Sequence, residues 1–353
     1  MKFIHIADVH LYAEPDKGTD WGEGRSKEIE ETFEKVIDAC NEKDVDLLLI
    51  AGDLFDRSPS VEDLIFVDEK LERLEKTRTI ILSGAKDYVP VGTESSAYIF
   101  RSRTVMLPPD KTTNAYLRGI NTCVTGFSYG KESYRERILE EIEPGREDAI
   151  NILIGYGGDA HHMPFKREKI AARGFDYVAM GGVHKPTHIL KNRMAYAGSP
   201  EPLGPKESGR HGYIIGEITD EGTTIKWCPI AYRNYVDISI TMSKDLLPSE
   251  IIENLEGKLR KLGRSNIYRI ILRGFVSDNV KLDLSRVQSR YNISEILNMT
   301  ISDYDEKILR VENETNMMGR YIHDVQSNYS LDEAVRSRAL RYGMEALIMA
   351  GEE

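Results

Sequence analysis

The sequence predicts an α/β protein, and two observations carry that expectation. Short, wholly apolar runs stop abruptly at glycines and acids, as in Leu47-Leu48-Leu49-Ile50-Ala51-Gly52-Asp53-Leu54-Phe55-Asp56. Strands buried in a parallel sheet read this way. Between such runs, apolar residues recur on one helical face, first at Ile29, Phe33, Val36, Ile37 and Cys40. Strand, helix and strand form a right-handed crossover unit, which brings the ends of both strands to one sheet edge. Ligands bind beyond the carboxyl ends of parallel strands, so Asp53 is the residue around which the chain is read.

In chain order, Met1–Ala7 reads as a strand that ends at Asp8-Val9-His10. Residues two apart on an extended backbone point the same way, so Asp8 and His10 can converge. A carboxylate beside an imidazole suits Mn, Fe or Zn better than Ca or Mg. Alone, a D-x-H triplet is as readily coincidence. A second helix carries Leu64, Val67, Leu71 and Leu74. Later strands are expected at Thr79–Leu82 (ending in Gly84-Ala85-Lys86-Asp87), Asn151–Ile154 (ending in Gly155-Tyr156-Gly157) and Tyr177–Met180 (ending in Gly181-Gly182-Val183-His184). Five strands thus finish at glycine-punctuated, mostly polar loops. Tyr213–Ile218 and Thr224–Trp227 read as a hairpin pair.

A new pattern begins near Tyr235: an alternating strand at Val236–Ile240, a helix opened by Pro248 with Ile251, Ile252, Leu255 and Leu259 on one face, and a strand at Asn266–Leu272. Lys258, Arg260, Lys261, Arg264 and Arg269 are the densest basic cluster. It reads either as a solvated helix end or as a phosphate-backbone contact. From about Asp305 the chain turns polar and helical. One apolar stripe is Met317, Met318, Tyr321, Ile322 and Val325; a second, Val335, Ala339, Tyr342, Ala346 and Leu347, follows a capping box expected at Ser330–Glu333.

At 353 residues the chain should hold more than one unit. A net charge of −11 argues against a bulk nucleic-acid coat, so a phosphate-bearing substrate needs a local basic patch or metal ions. Three scattered cysteines fit a reducing compartment rather than a disulfide frame. No apolar run reaches the ~20 residues of a membrane span and no secretion signal opens the chain, so a cytoplasmic protein without membrane contact is expected.

Asp8-Val9-His10, Gly52-Asp53-Leu54-Phe55-Asp56 and Val183-His184, each after a strand and in this order, resemble the calcineurin-like metallophosphoesterases. Ala195–Gly204, with Gly209-Arg210-His211-Gly212, is similar to the SbcD-type DNA repair exonucleases in particular. The resemblance spans essentially the whole chain. It implies a metallophosphoesterase β-sandwich flanked by helices over 1–232, a small DNA-facing α/β cap over 233–304, and C-terminal helices over 305–353. Those last helices either dock an SMC-like ATPase of the SbcC type or pack back on the cap. DNA is the implied substrate, and a homodimer is common in the family.

The resemblance also implies two metal ions. Asp8, His10, Asp53 and His184 match the ligands of the first. The second shares Asp53, but its own ligand positions read Ala85, Tyr156 and Gly182, and Lys86 stands where the family has a catalytic histidine. Lys86 and Asp87 are left as candidates for residual catalysis, Lys86 either as a fixed positive charge on a phosphoryl group, as a stand-in for the missing ion, or as a solvent-facing side chain. The expectation is one divalent ion (Mn first, Fe or Zn as alternatives) or none, the site then being a relic carboxylate–histidine network. Hydrolysis should be impaired; the alternative is an inactive subunit that binds DNA and the ATPase. His161, His162, His188 and His211 are expected as loop or packing histidines, and His323 as helix surface or a partner contact.

Overall fold

A computed structural model describes residues 1–242, 246–276, 282–302, 310–311 and 313–351. The chain divides into two compact units, Met1–Val236 and Asp237–Glu353.

The first unit is a sandwich of two six-stranded sheets. β1 (Lys2–Ile6), α1 (Arg25–Glu42), β2 (Leu47–Ala51), α2 (Val61–Leu71), β3 (Arg78–Leu82) and β4 (Thr104–Met106) follow one another along the chain. Their strands pair in parallel, β1 to β2 to β3 to β4. The second sheet takes β5 (Thr113–Leu117), β6 (Thr122–Gly126), β7 (Ile150–Tyr156), β8 (Tyr177–Gly181), β9 (Thr187–Leu190) and β10 (Met194–Tyr196), with α3 (Arg167–Ala171) between β7 and β8. The hairpin of β11 (Gly212–Thr219) and β12 (Gly222–Pro229) returns to the first sheet, where β11 lies antiparallel to β1.

Side-chain alternation divides the strands of the first sheet between two cores. Phe3, Ala7, Leu47, Leu49, Ile80 and Leu82 point inward and meet Ile152, Ile154, Val178 and Met180 of the second sheet. Ile4, Ile6, Leu48, Ile50 and Ile81 point outward onto Ile29, Phe33 and Val36 of α1 and Leu64 and Val67 of α2. Each large apolar side chain so buried contributes about 1.5–3 kcal/mol, which ties both sheets and helices into one framework. The expected strands therefore split, three to one sheet and two to the other. The carboxyl ends of β1, β2 and β3 face those of β7 and β8, and the linking loops close the gap.

β13 (Tyr235–Met242), most of which lies in the second unit, β14 (Ile267–Val276) and β15 (Asn292–Ser302) form a sheet in that order. α4 (Pro248–Leu262) joins the first two and buries Ile251, Leu255 and Leu259. α5 (Ser285–Gln288) precedes β15, a strand the sequence pattern did not announce. The boundary expected at 304/305 lies outside the described residues.

The helices Met317–Gln326 and Glu333–Gly351 make a hairpin around Met318, Ile322, Leu340 and Met344. This corrects one expectation. Ser330 does not cap the second helix; that helix begins at Glu333, and the Ser330 hydroxyl donates to Asn328 Oδ1 at 2.5 Å. The stripe through Val335 and Tyr342 lies outside the hairpin core, these residues being 50% and 65% exposed. Hairpin packing selects Leu340 and Met344 instead, the face turned to the first helix. Among the described residues, no helix is long and apolar enough to cross a membrane.

Candidate metal centre

Where β1 ends, the backbone turns left-handed at Asp8 and His10, both at φ 53°, and Asp53 after β2 sits at φ 49°. Non-glycine residues rarely adopt this region; it costs of order 1–3 kcal/mol each and concentrates at functional sites. Backbone bonds from Asp8 N to Gly52 O (2.9 Å) and from His10 N to Asp53 O (3.0 Å) lock the two loops together. The strain thereby aims three buried polar side chains at one point.

Ligand atoms of Asp8, His10 and His184 lie within 4.8 Å of one another. His10 Nε2 and His184 Nε2 are 3.3 Å apart, and Asp53 Oδ2 lies 3.8 Å from His10 Nε2. Gly182 N–H donates to both Asp8 oxygens, at 2.9 and 3.1 Å. Each histidine is held from behind: His10 Nδ1 by Asp56 Oδ1 at 2.9 Å, His184 Nδ1 by Glu207 Oε1 at 2.6 Å. Asp56 was part of a recognised motif without a role, and Glu207 was missed.

The site's electrostatics are those of a place that wants a cation. Burial pushes the Asp8 carboxyl up to about 7, against the pull of His184. For His184, burial works against the charged form, yet the bond to Glu207 and the nearby Asp8 and Asp53 carboxylates raise it to about 9. Crowded, buried carboxylates recruit protons when no other positive charge is present. Two imidazole nitrogens with carboxylate oxygens suit a divalent ion such as Mn, Fe or Zn, so the residues fit one ion.

Beside Asp53 stands Tyr156, the last residue of β7. Its hydroxyl donates to Asp53 Oδ2 at 2.7 Å, while Lys86 N–H takes Oδ1 at 2.9 Å. The ring fills the neighbouring space: a Cβ on Gly52 would meet it at 2.3 Å, and one on Gly84 at 2.6 Å. Burial, followed by the Asp53 and Asp8 charges, raises its phenol far above the ordinary value, so it stays protonated. Ala85 is buried and brings no side-chain ligand atom, and Gly182, at φ 99°, brings none either.

The Lys86 side chain is exposed, while Asp87 is 2% exposed. The Asp87 carboxylate accepts from four backbone N–H groups, those of Gly84 (2.6 Å), Leu54 (2.8 Å), Asp53 (3.2 Å) and Phe55 (3.3 Å). Its visible work is to fasten the loop after β3 to the loop that carries Asp53. Lys258, Arg260, Lys261 and Arg264 are all exposed, with Lys258 Nζ donating to Ser239 O at 2.9 Å. Arg269 leaves this cluster, since it forms a two-pronged pair with Asp237 at 2.9 and 2.6 Å. His162 is paired with Asp159 at 2.8 Å, and His188 and His323 are exposed.

The profile of the calcineurin-like phosphoesterases matches residues 1–186. The chain belongs to this family. Family members use divalent metal ions, and the cluster of Asp8, His10 and His184 is a group of that kind. Among curated proteins, the metallophosphoesterase YhaO of Bacillus subtilis (strain 168) is 26% identical over 297 residues, 78% of this chain and 72% of that protein. The DNA double-strand break repair protein Mre11 of Methanopyrus kandleri is 28% identical over 305 residues, 77% of this chain and 64% of that protein. The Mre11 of Methanocaldococcus jannaschii is 26% identical over 282 residues, 72% of this chain and 73% of that protein.

Proposed function

We propose that this phosphoesterase is a nuclease-type, SbcD-like protein that works on DNA with a single divalent ion, manganese being the best match, and that its hydrolytic power is reduced. Asp8, His10 and His184 would hold the ion, with Asp53 as the fourth ligand. The observation that carries this reading is Tyr156: its ring fills the space beside Asp53 where a second ion would share that carboxylate. The bound ion would supply Lewis-acid polarisation of a phosphoryl oxygen. Gly182 N–H fixes the Asp8 carboxylate, and the exposed Lys86 ammonium offers a fixed charge to an incoming phosphate but no proton transfer near neutral pH. Losing a general acid costs 10²–10⁴ in rate on typical figures, which favours slow turnover. Arg260, Lys261 and Arg264 are the candidates for phosphate-backbone contact. The terminal helices would dock an SMC-like ATPase of the SbcC type.

The test is Mn-dependent cleavage of bis(p-nitrophenyl) phosphate and of DNA by the full chain. Slow cleavage is expected, lost in Asp53→Ala and His184→Ala. Folded protein that cleaves neither substrate with Mn, Fe or Zn would overturn the hydrolase reading. The second reading, an inactive subunit that binds DNA and the ATPase, rests on the same filled space and would then take its place.

A further inference from the structure

We infer that Ser199, Glu207 and His211 form a positioning device for His184, a closed circuit of hydrogen bonds that turns its Nε2 toward the ion. This rests on reading the centre as metal-binding, and it gives a task to the segment Gly198–Gly212. The circuit can be walked atom by atom. His184 Nδ1 lies 2.6 Å from Glu207 Oε1. The Glu207 carbonyl oxygen lies 2.9 Å from His211 Nε2. On the other side of that ring, His211 Nδ1 lies 2.9 Å from Ser199 Oγ. Ser199 N–H then donates to the His184 carbonyl at 3.0 Å, which closes the loop on the residue where it began.

Both ring nitrogens of His211 face backbone carbonyls, Nε2 that of Glu207 at 2.9 Å and Nδ1 that of Ser199 at 3.0 Å, so the ring is held from both sides whichever nitrogen carries its proton, and the Ser199 hydroxyl beside Nδ1 can donate or accept to match. Glu207 is held at its remaining atoms too: Oε2 takes the Leu203 N–H at 2.8 Å, and its own N–H donates to Gly204 O at 3.0 Å. Ser199 is 0% and His211 3% exposed, so little competes with these bonds. A carboxylate so fixed behind an imidazole keeps the Nδ1 proton in place and leaves the Nε2 lone pair for a metal. Asp56 does the same for His10 at 2.9 Å. The two Nε2 atoms, 3.3 Å apart, point lone pairs at one spot, an arrangement that repels unless a proton or a cation lies between them. Both histidines come from loops: that of His10 is tied to that of Asp53, and the circuit braces that of His184.

The experiment is titration of the full chain with Mn(II) alone, followed by isothermal calorimetry, and with Co(II), followed by its visible absorption. In Glu207→Ala, Mn(II) affinity should fall about 10–100-fold, the usual cost of losing such a support. Glu207→Gln, whose carbonyl oxygen still accepts from Nδ1–H, should recover part of the loss while shifting the Co(II) band. Ser199→Ala should weaken binding by a smaller factor, and Glu14→Ala, an exposed control, should change nothing. Thermal melting of each variant separates misfolding from misorientation, and if Glu207→Ala does not fold, the Glu207→Gln and Ser199→Ala results decide. Parent-like affinity and Co(II) spectrum in the folded Glu207 and Ser199 variants would overturn the inference alone. No binding of either ion by the parent chain would overturn the metal-centre reading and this inference with it.

Discussion

The hydroxyl of Tyr156 donates to Asp53 Oδ2 at 2.7 Å, and its ring lies so close to Gly52 and Gly84 that neither position has room for a Cβ. A protonated phenol thus meets the same Asp53 oxygen that lies 3.8 Å from His10 Nε2. Tyr156→His combined with Ala85→Asn removes the ring and places two donors beside Asp53. Gly182 is left alone because its φ of 99° would strain any side chain. Elemental analysis after Mn loading should give about one ion per parent chain and approach two in the double variant, as expected if the ring excludes the second. A ratio unchanged by the substitutions would show that something other than Tyr156 keeps that ion out.

Asp87 is predicted to serve stability rather than chemistry. Removing it leaves up to four buried N–H groups without their acceptor, each unmade bond costing about 1–3 kcal/mol if the loop cannot relax. Asp87→Ala should therefore lower unfolding free energy by several kcal/mol in urea, whereas Lys86→Ala, at an exposed position, should stay within about 0.5 kcal/mol. Equal stability of the two variants would contradict this division of labour.

The difference between these neighbours shows what the sequence carried. Strand ends were legible because burial on both faces leaves an apolar run, and a glycine with an acid ends it; Asp53 was found that way and Asp8 by its place after the first strand, whereas a ligand role for His184 came only through the family resemblance. Partners such as Glu207 were not legible, since an acid in a polar loop looks like any solvated charge until the chain folds back on His184. The sorting of five strands into two sheets depends on long-range pairing that local periodicity does not encode. β15 was missed for a related reason, its alternation being broken by Glu295 and Ile296. On the last helix, several apolar positions could serve as the buried face, and only the neighbouring helix chose among them.

His5 sets a pH dependence of stability. It lies 0% exposed between the sheets, with Nδ1 3.0 Å from Tyr177 OH, and burial pushes it down to about 3. The unfolded chain takes up a proton near pH 6.5 that the folded chain refuses until about 3. The sign follows: this contribution is present above pH ~6.5 and is lost as the pH falls through the window, at up to about 1.4 kcal/mol per unit. Urea unfolding of the parent and of His5→Gln at pH 7, 6, 5 and 4 isolates the effect, because other titrating groups cancel in the difference. The gap between the curves should close or reverse as pH falls; parallel curves would mean that His5 does not stay neutral in the fold.

The terminal helices offer two faces with opposite predicted behaviour. Leu340 and Met344 are buried against Met318 and Ile322, so Leu340→Ala should cost about 2–5 kcal/mol of local stability, read as lost helical signal or faster proteolysis of the tail. Val335 and Tyr342 lie on the same helix but are 50% and 65% exposed, and a charge at either should leave folding untouched. Exposed apolar side chains on a helix are what an amphipathic docking partner covers. If the tail binds the coiled coil of an SMC-like ATPase, Val335→Arg with Tyr342→Arg should weaken the purified complex at least ~10-fold, about 1.4 kcal/mol, with the melting temperature unchanged. A complex that survives this pair but is lost in Leu340→Ala would place the docking surface on another face of the hairpin.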